Sequence, residues 1–450
     1  MEKKYYSLIL ISLLSFSSCE DFLEPQPHDR LSEIVAWSSI ENANLYVNGF
    51  YSYLTTYSIF GTAQFGGSGN PDGMTDMLKY GSSAPGAGNA NLYAYEPTKI
   101  SPDQNALGIW ADAYGRIRRL NEFLEGIDDY AKFDESSKTV LKAQTCFFRA
   151  YIYYLLTMRH GSVILIKELT TEKNHPRSPE SECWDFIAED LDYAIANLPE
   201  EWDQSNEGRL TKGAALALKS RVMLFAENWE AAKSAAEGVI ELKNAGLYDL
   251  ASQYKDAFNS RSMGNKESIL EMRYVRPAPV HSFDKTYCPG GDKPGPGAGA
   301  IACPTQEMVE LYEDVNGNKV DWTPWHSSTT VTPPYAQLEP RFQASVLYNG
   351  AHWKSRSIES FVGGSDGYMD YAYESYPVGK TTTGYFLKKY LDESNIDVAN
   401  QSSEQTLLVL RYAEVLLNYA EACYFLNRPD LANDAIRQIR SRKYPCLIPI

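Results

Sequence analysis

The sequence predicts a mainly α-helical protein, in which helix pairs form a scaffold and a loop-rich lobe with short β-strands is laid on it. Three observations predict this. Apolar and small residues recur at helical spacing in several long segments. Two of those segments repeat one rhythm of helix, turn and helix. Between them, 245–403 changes character to Pro/Gly clusters and short β-like runs. A chain of 450 residues has room for one large domain or two to three ordinary ones, and 44% apolar residues place it among globular proteins.

The helix pairs come first. In TKGAALALKSRVMLFAENWEAAKSAAEGVIEL (211–242) the pattern runs through Leu224, breaks at Asn228 and resumes through Val239, with Ala where two helices must approach closely. LRYAEVLLNYAEACYFLNRPDLANDAIRQIR (410–440) has the same rhythm. Its turn falls at Asn427-Arg428-Pro429, which puts Pro near the start of the second helix. AQTCFFRAYIYYLLTMRHG (143–161) and CWDFIAEDLDYAIANLP (183–199) make a third pair across an inserted loop. A looser fourth joins ENANLYVNGFYSYLTTY (41–57) to ALGIWADAYGRIRRLNEFLEGI (106–127) across a Gly, Ser, Asn, Ala and Tyr-rich insert, 58–105. Pairs of about 34 residues with this patterning resemble tetratricopeptide repeats, and the long inserts argue against a regular solenoid.

The lobe, 245–403, carries PGGDKPGPGAGAIACP (289–304), an Asn316-Gly317 turn, and three β-like runs: SILEMRYV (268–275), FQASVLYNG (342–350) and GYFLKKYLD (384–392). Loops with small sheets fit this composition better than long helices.

Net charge is −16, from 42 basic and 58 acidic residues with no basic block, a field that repels phosphate backbones and argues against nucleic-acid binding. Lys3 and Lys4, the apolar run Leu8 to Phe16, and Ser17-Ser18 before Cys19 read as a secretory signal peptide over 1–18. A small-residue site ending at Cys resembles a bacterial lipobox, with Cys19 as the lipidated residue; Phe16 departs from it, and plain cleavage of a secreted protein is the alternative. Glu20-Asp21 resembles an export signal to the outer face of the outer membrane. No later segment is apolar for the ~20 residues a membrane-spanning helix needs. The six other cysteines form no metal pattern. Cys146 and Cys423 read as buried thiols within helices. A disulfide between Cys288 and Cys303, which flank the Pro/Gly loop, is one reading of that pair.

Catalytic motifs are few. GGSDG (363–367) satisfies G-x-S-x-G, but no histidine follows Ser365 to complete a triad. Asp314, Asn316 and Asn318 imitate the start of a calcium loop, yet Gly falls too early and Trp325 stands where a bidentate Glu is required. A β-turn is the better account. The histidines lack metal spacing, and nothing nominates a carboxylate pair among 58 acids. No metal, cofactor or catalytic residue is expected.

Seven stretches, in order, carry a family resemblance: SSCEDFLEP, GAALALKSRVMLFAENWEAA, KESILEMRY, PTQEMVELYE, EPRFQASVLYNG, GYFLKKYLDE and RYAEVLLNYAEA. Together they resemble the SusD/RagB family of outer-membrane, nutrient-binding lipoproteins. The resemblance implies a single SusD-like domain over 19–450, with its scaffold at about 33–244 and 404–442. It also implies a non-catalytic role: capture of oligosaccharides at the cell surface and delivery to a TonB-dependent (SusC-like) outer-membrane transporter, without cofactor or nucleic acid. In that family the chain runs on past RYAEVLLNYAEA, so the ending QIRSRKYPCLIPI reads as a truncated frame. A peptide-capturing member of the family, a helical scaffold that binds no sugar, and a secreted hydrolase are the rival readings.

Sugar recognition needs aromatic planes for the apolar ring face and Asp, Asn, Gln or Arg for the hydroxyl rim. Two loop stretches offer both. In FGGSGNPDGMTDMLKYGSSAPGAGNANLYAY (65–95) the candidates are Asn70, Asp72, Asp76 and Tyr80. In DWTPWHSSTT (321–330) they are Trp322 and Trp325, with Tyr287 beside the Pro/Gly loop as a further one. The competing reading of the tryptophans is that they cap the helices beneath.

Overall fold

The computed structural model describes residues 36–56, 71–80, 108–258, 265–368 and 379–442. Cys19, the signal segment and Asn70 lie outside the described residues, as does Cys446.

The helices fall where the apolar rhythm puts them. Ser39 caps α1 (Ile40–Phe50), and α2 (Ser52–Thr56) follows directly. Helix α3 (Trp110–Asp129) meets this first segment through Phe123, whose ring lies 5.0 Å from Trp37, 5.4 Å from Tyr46 and 5.9 Å from Phe50. Helix α4 (Glu135–His160) starts at Asp134, which accepts from Ser137 N at 2.9 Å, and stops at Gly161, whose positive φ of 63° suits glycine. From Cys146 to Leu156 every side chain of α4 is buried, so this is the central helix of the scaffold. It packs on α5 (Glu180–Asn197), and a buried ion pair fixes their register: Arg149 meets Asp190 at 2.7 and 2.8 Å and also donates to Asn121 of α3 at 2.9 Å.

Helices α6 (Lys212–Phe225) and α7 (Trp229–Asn244) form the third pair; α6 is followed by the turn that the sequence places at Asn228. Asn228 caps α7 by accepting from Ala231 N, and Glu227 before it takes a positive φ of 54°. After four short helices in the lobe, α8 (Phe283–Tyr287), α9 (Gln306–Glu310), α10 (Thr323–His326) and α11 (Pro340–Ser345), the last pair, α12 (Tyr412–Phe425) and α13 (Pro429–Arg440), turns the same way, with Asn427 at φ 56° and Pro429 opening the second helix. The two pairs stack. Arg221 clamps Glu414 at 2.5 and 2.7 Å, and Asn418 donates to Ser220 at 3.0 Å in the buried seam. Alanines at 214, 217, 232, 236, 413 and 422 are buried, which lets the backbones come close.

In the lobe the strands are shorter than the β-like runs. Antiparallel two-stranded sheets pair β1 (Leu78–Tyr80) with β3 (Ala302–Pro304) and β2 (Ser268–Met272) with β8 (Leu407–Arg411). Others pair β4 (Val346–Leu347) with β7 (Phe386–Leu387) and β5 (His352–Trp353) with β6 (Arg356–Ser357). Two expectations change. FQASVLYNG opens as the end of a helix, Pro340–Ser345, because Pro340 presets its first turn; only Val346–Leu347 is strand. GYFLKKYLD contributes two strand residues. Cys288 and Cys303 are free, buried thiols rather than a disulfide, each packed in the lobe's own core with Trp353 and Phe386. Cys146 and Cys423 are buried thiols, as the helical pattern requires.

Lobe and scaffold meet at β2–β8, since β8 runs straight into α12. Fully buried Glu267, just before β2, accepts from Arg411 and Arg442 at 2.9 Å each and from Ala251 N at 2.9 Å. Within the lobe, Asp366 of GGSDG is buried and held by Arg356 at 2.7 and 2.8 Å, so that glycine-rich run is a structural loop. Asp314 accepts from Asn316 N and Asn318 N at 2.8 Å each, closing the β-turn expected there.

Candidate functional site

The two sequence stretches that carry the binding candidates converge on one short helix. Strand β1 pairs with β3 in the register Leu78↔Pro304, Lys79↔Cys303 and Tyr80↔Ala302. The next residue, Thr305, donates its amide to Met77 O at 3.0 Å and its hydroxyl to Asp76 O. Thr305 also caps the helix Gln306–Glu310 by accepting from Met308 N. Asp76 therefore sits at the start of this helix, and Glu310 closes it.

Glu310 reaches the helical turn Thr323–His326, formed by DWTPWHSSTT. Pro324 stands in its first turn, and Trp322 O accepts from Trp325 N and His326 N at 3.1 Å each. Asp321 precedes it; the Thr323 hydroxyl and amide donate to its carboxylate and hold it below its ordinary pKa. His326 Nε2 lies 2.7 Å from Glu310 Oε1, with His326 48% and Glu310 32% exposed.

A hydrogen-bond chain stiffens this surface from below. Tyr385 Oη donates to Gln306 Oε1 at 2.6 Å, so the 2.9 Å contact between Tyr335 Oη and Tyr385 Oη has Tyr335 as donor. Gln306 Nε2 then donates to Glu310 Oε1 at 2.8 Å. Burial pushes both phenols above their ordinary pKa, so each keeps its proton to donate. Oxygen Oε2 of Glu310 has no partner among the described residues. The outcome is a half-buried indole, Trp325, beside a rigid carboxylate and an exposed imidazole; the Trp325 and His326 rings lie 4.9 Å apart. An apolar plate flanked by fixed polar groups suits a ring with one apolar face and a hydroxyl edge.

The candidates divide. Trp325 stands on this surface; exposed Asp76 lies at the opposite end of the helix that Glu310 closes, and half-buried Asp72 is in the same segment as Asp76. Three others do not offer a free ring face. Trp322 is 5% exposed because its indole fills a core with Val309, Leu338, Phe342 and Tyr385, the helix-capping role weighed for it. Tyr80 is 3% exposed, its ring set against Gly73 where a Cβ could not fit. Tyr287 is 1% exposed within the lobe core, against Phe283 at 4.7 Å. Glu310 and His326 were missed. His326 adjoins Trp325 in the quoted loop, and an imidazole beside an indole was signal enough; nothing in PTQEMVELYE points to Glu310.

Among the described residues no group of three or more His, Cys, Asp or Glu could hold a metal ion, and no helix is long and apolar enough to cross a membrane.

Residues 266–443 match the SusD family model, and 33–224 match the model described as "Starch-binding associating with outer membrane". A SusD-like protein of Bacteroides ovatus is 25% identical over 436 residues, covering 92% of this chain and 71% of that one. The crystal structure of a SusD-like protein from Bacteroides fragilis has a TM-score of 0.73 at 26% identity, over 90% of this chain and 79% of that one. A SusD-like carbohydrate binding protein from the same species shares the fold, with a TM-score of 0.74 at 22% identity, over 92% and 80%. The SusD family model takes in the lobe and the last helix pair, the other model takes in the scaffold from α1 into α6, and the chain belongs to the SusD/RagB family.

Proposed function

We propose that this protein is a non-catalytic, cell-surface glycan-binding lipoprotein, anchored through Cys19, that captures oligosaccharides and passes them to a TonB-dependent outer-membrane transporter. One observation carries the binding part: Trp325, Glu310 and His326 form a rigid aromatic and polar surface, and β1–β3 pairing sets Asp76 at the other end of the same short helix. The description of the family model over 33–224, starch-binding and associated with the outer membrane, supports ligand class and location. An aromatic stack contributes about 1 kcal/mol, and a few such contacts give an affinity low enough for cargo to be released.

A glycan array tests the reading. Binding to a related set of oligosaccharides supports it. A cooperatively folded protein that binds none overturns it in favour of peptide capture or a scaffold role. The anchor has its own test: labelled palmitate enters the wild-type chain in cells and is absent from Cys19→Ala.

A further inference from the structure

Away from this surface, the connection from α5 to α6 crosses beside the foot of the lobe and helps enclose a cleft of about 440 Å³, within the range of small-molecule sites. Its walls are that connection, the loop after α7 and strand β2. Ser268, Ile269, Leu270 and Glu271 all line it in succession. Successive strand residues point to opposite faces, so the cleft runs along the strand's edge, and β2 pairs only with β8 among the described residues.

We propose that this cleft is a second carbohydrate site, taking one or two neutral pyranose rings against Trp202. The ligand class rests on the reading above; the place does not. Trp202 is half-buried, and its Nε1 donates to Leu210 O at 2.8 Å, which fixes the plane of the indole at the cleft wall. Planar polar groups surround it. Arg273 is braced between Glu271 at 2.6 Å and Glu207 at 3.1 Å, an arrangement that presents guanidinium and carboxylate edges of fixed orientation. Such edges pair with neighbouring hydroxyls two bonds at a time.

Two lining groups lack partners. Arg209 Nη1 and Ser268 Oγ are shielded from solvent and have no hydrogen-bond partner among the described residues. A buried donor left unpaired is unfavourable, and a small movement of the Arg209 side chain toward a ligand hydroxyl in the cleft relieves it. Acids (Glu200, Glu201, Glu207, Glu271) nearly balance bases (Arg209, Lys266, Arg273) along the lining, which selects an uncharged ligand over a strongly charged one.

Saturation-transfer NMR and calorimetric titration with cellobiose, maltose, lactose and mannobiose test this on the wild type, Trp325→Ala, Arg209→Met and Trp202→Ala. At least one disaccharide is expected to bind Trp325→Ala as it binds the wild type at the cleft, and to bind Arg209→Met at least tenfold more weakly. Arg209→Met keeps the side chain's stem and carries the result if Trp202→Ala lowers the melting temperature. Loss of all sugar binding in Trp325→Ala overturns the inference while leaving the proposed function intact. If every sugar that binds depends on Arg209 and none on Trp325, the cleft stands and the aromatic surface does not. Binding that ignores both Arg209 and Trp202 overturns the inference, as does a capped pentapeptide of alternating Thr and Val that binds along β2 where no sugar does.

Discussion

At the scale of single residues, burial decides what an aromatic or titratable group can do. Trp322 and Trp325 are three positions apart, yet one is core and the other half-open, because the turn Thr323–His326 aims the first inward between Val309 and Phe342. Glu310→Gln keeps the size of the side chain but replaces the free carboxylate oxygen. It is expected to weaken glycan binding about tenfold, or about 1.4 kcal/mol, with little change in melting temperature; paired titrations and melts check this. A second residue predicts a pH dependence. His281 is buried, accepts from Phe283 N through Nδ1 at 3.2 Å, and so donates from Nε2 to Gln405 O at 2.9 Å. Burial lowers its pKa below 6.5, against the opposing pull of the Gln405 bond and of Asp284. A lowered histidine pKa means the unfolded chain binds more protons, so its contribution is full above pH 6.5 and is lost as pH falls towards the folded value. The wild type is expected to lose stability between pH 7 and 5 more steeply than His281→Asn, measured by denaturant unfolding at each pH. The stretches that meet at the candidate surface were more legible in the sequence than the exposure of the residues within them. Tyr80, Tyr287 and Trp322 look available in polar, Gly-rich surroundings. Only the fold shows that their rings fill the lobe cores.

At the scale of elements, the helix pairs were the most legible part. The break at Asn228 and the Pro429 start are local signals: a capping side chain and a fixed φ, each acting over a few residues. The lobe was less legible, since strands of two or three residues leave no alternation to read, and Pro340 turned an apparent strand into a helix. Register between helices depends on contacts far apart in sequence, such as Arg149 with Asp190. Asp190→Ala leaves the guanidinium of Arg149 buried without its main partner and is expected to cost about 3–5 kcal/mol, seen as a fall in denaturant midpoint. Replacing both residues by apolar ones of similar volume should recover much of that loss.

At the scale of the whole molecule, the scaffold holds the lobe and the lobe carries the candidate binding surface. Glu267 is the tie between them: it sits between Arg411, which leads into α12, and Arg442, and caps the backbone at Ala251. Glu267→Ala leaves two cations unpaired at the junction and is expected to lower stability by about 3 kcal/mol or more. A melt that separates into two transitions would show that the junction couples the two parts. The proposed function stands or falls with the binding of a sugar ring at the surface around Trp325. The most direct measurement is calorimetric titration of the best glycan-array ligand into the wild type and Trp325→Ala, after matching melts. Binding at least about tenfold weaker is expected in the variant, from the loss of one aromatic stack and its neighbouring contacts. Equal affinity in the two proteins would contradict it.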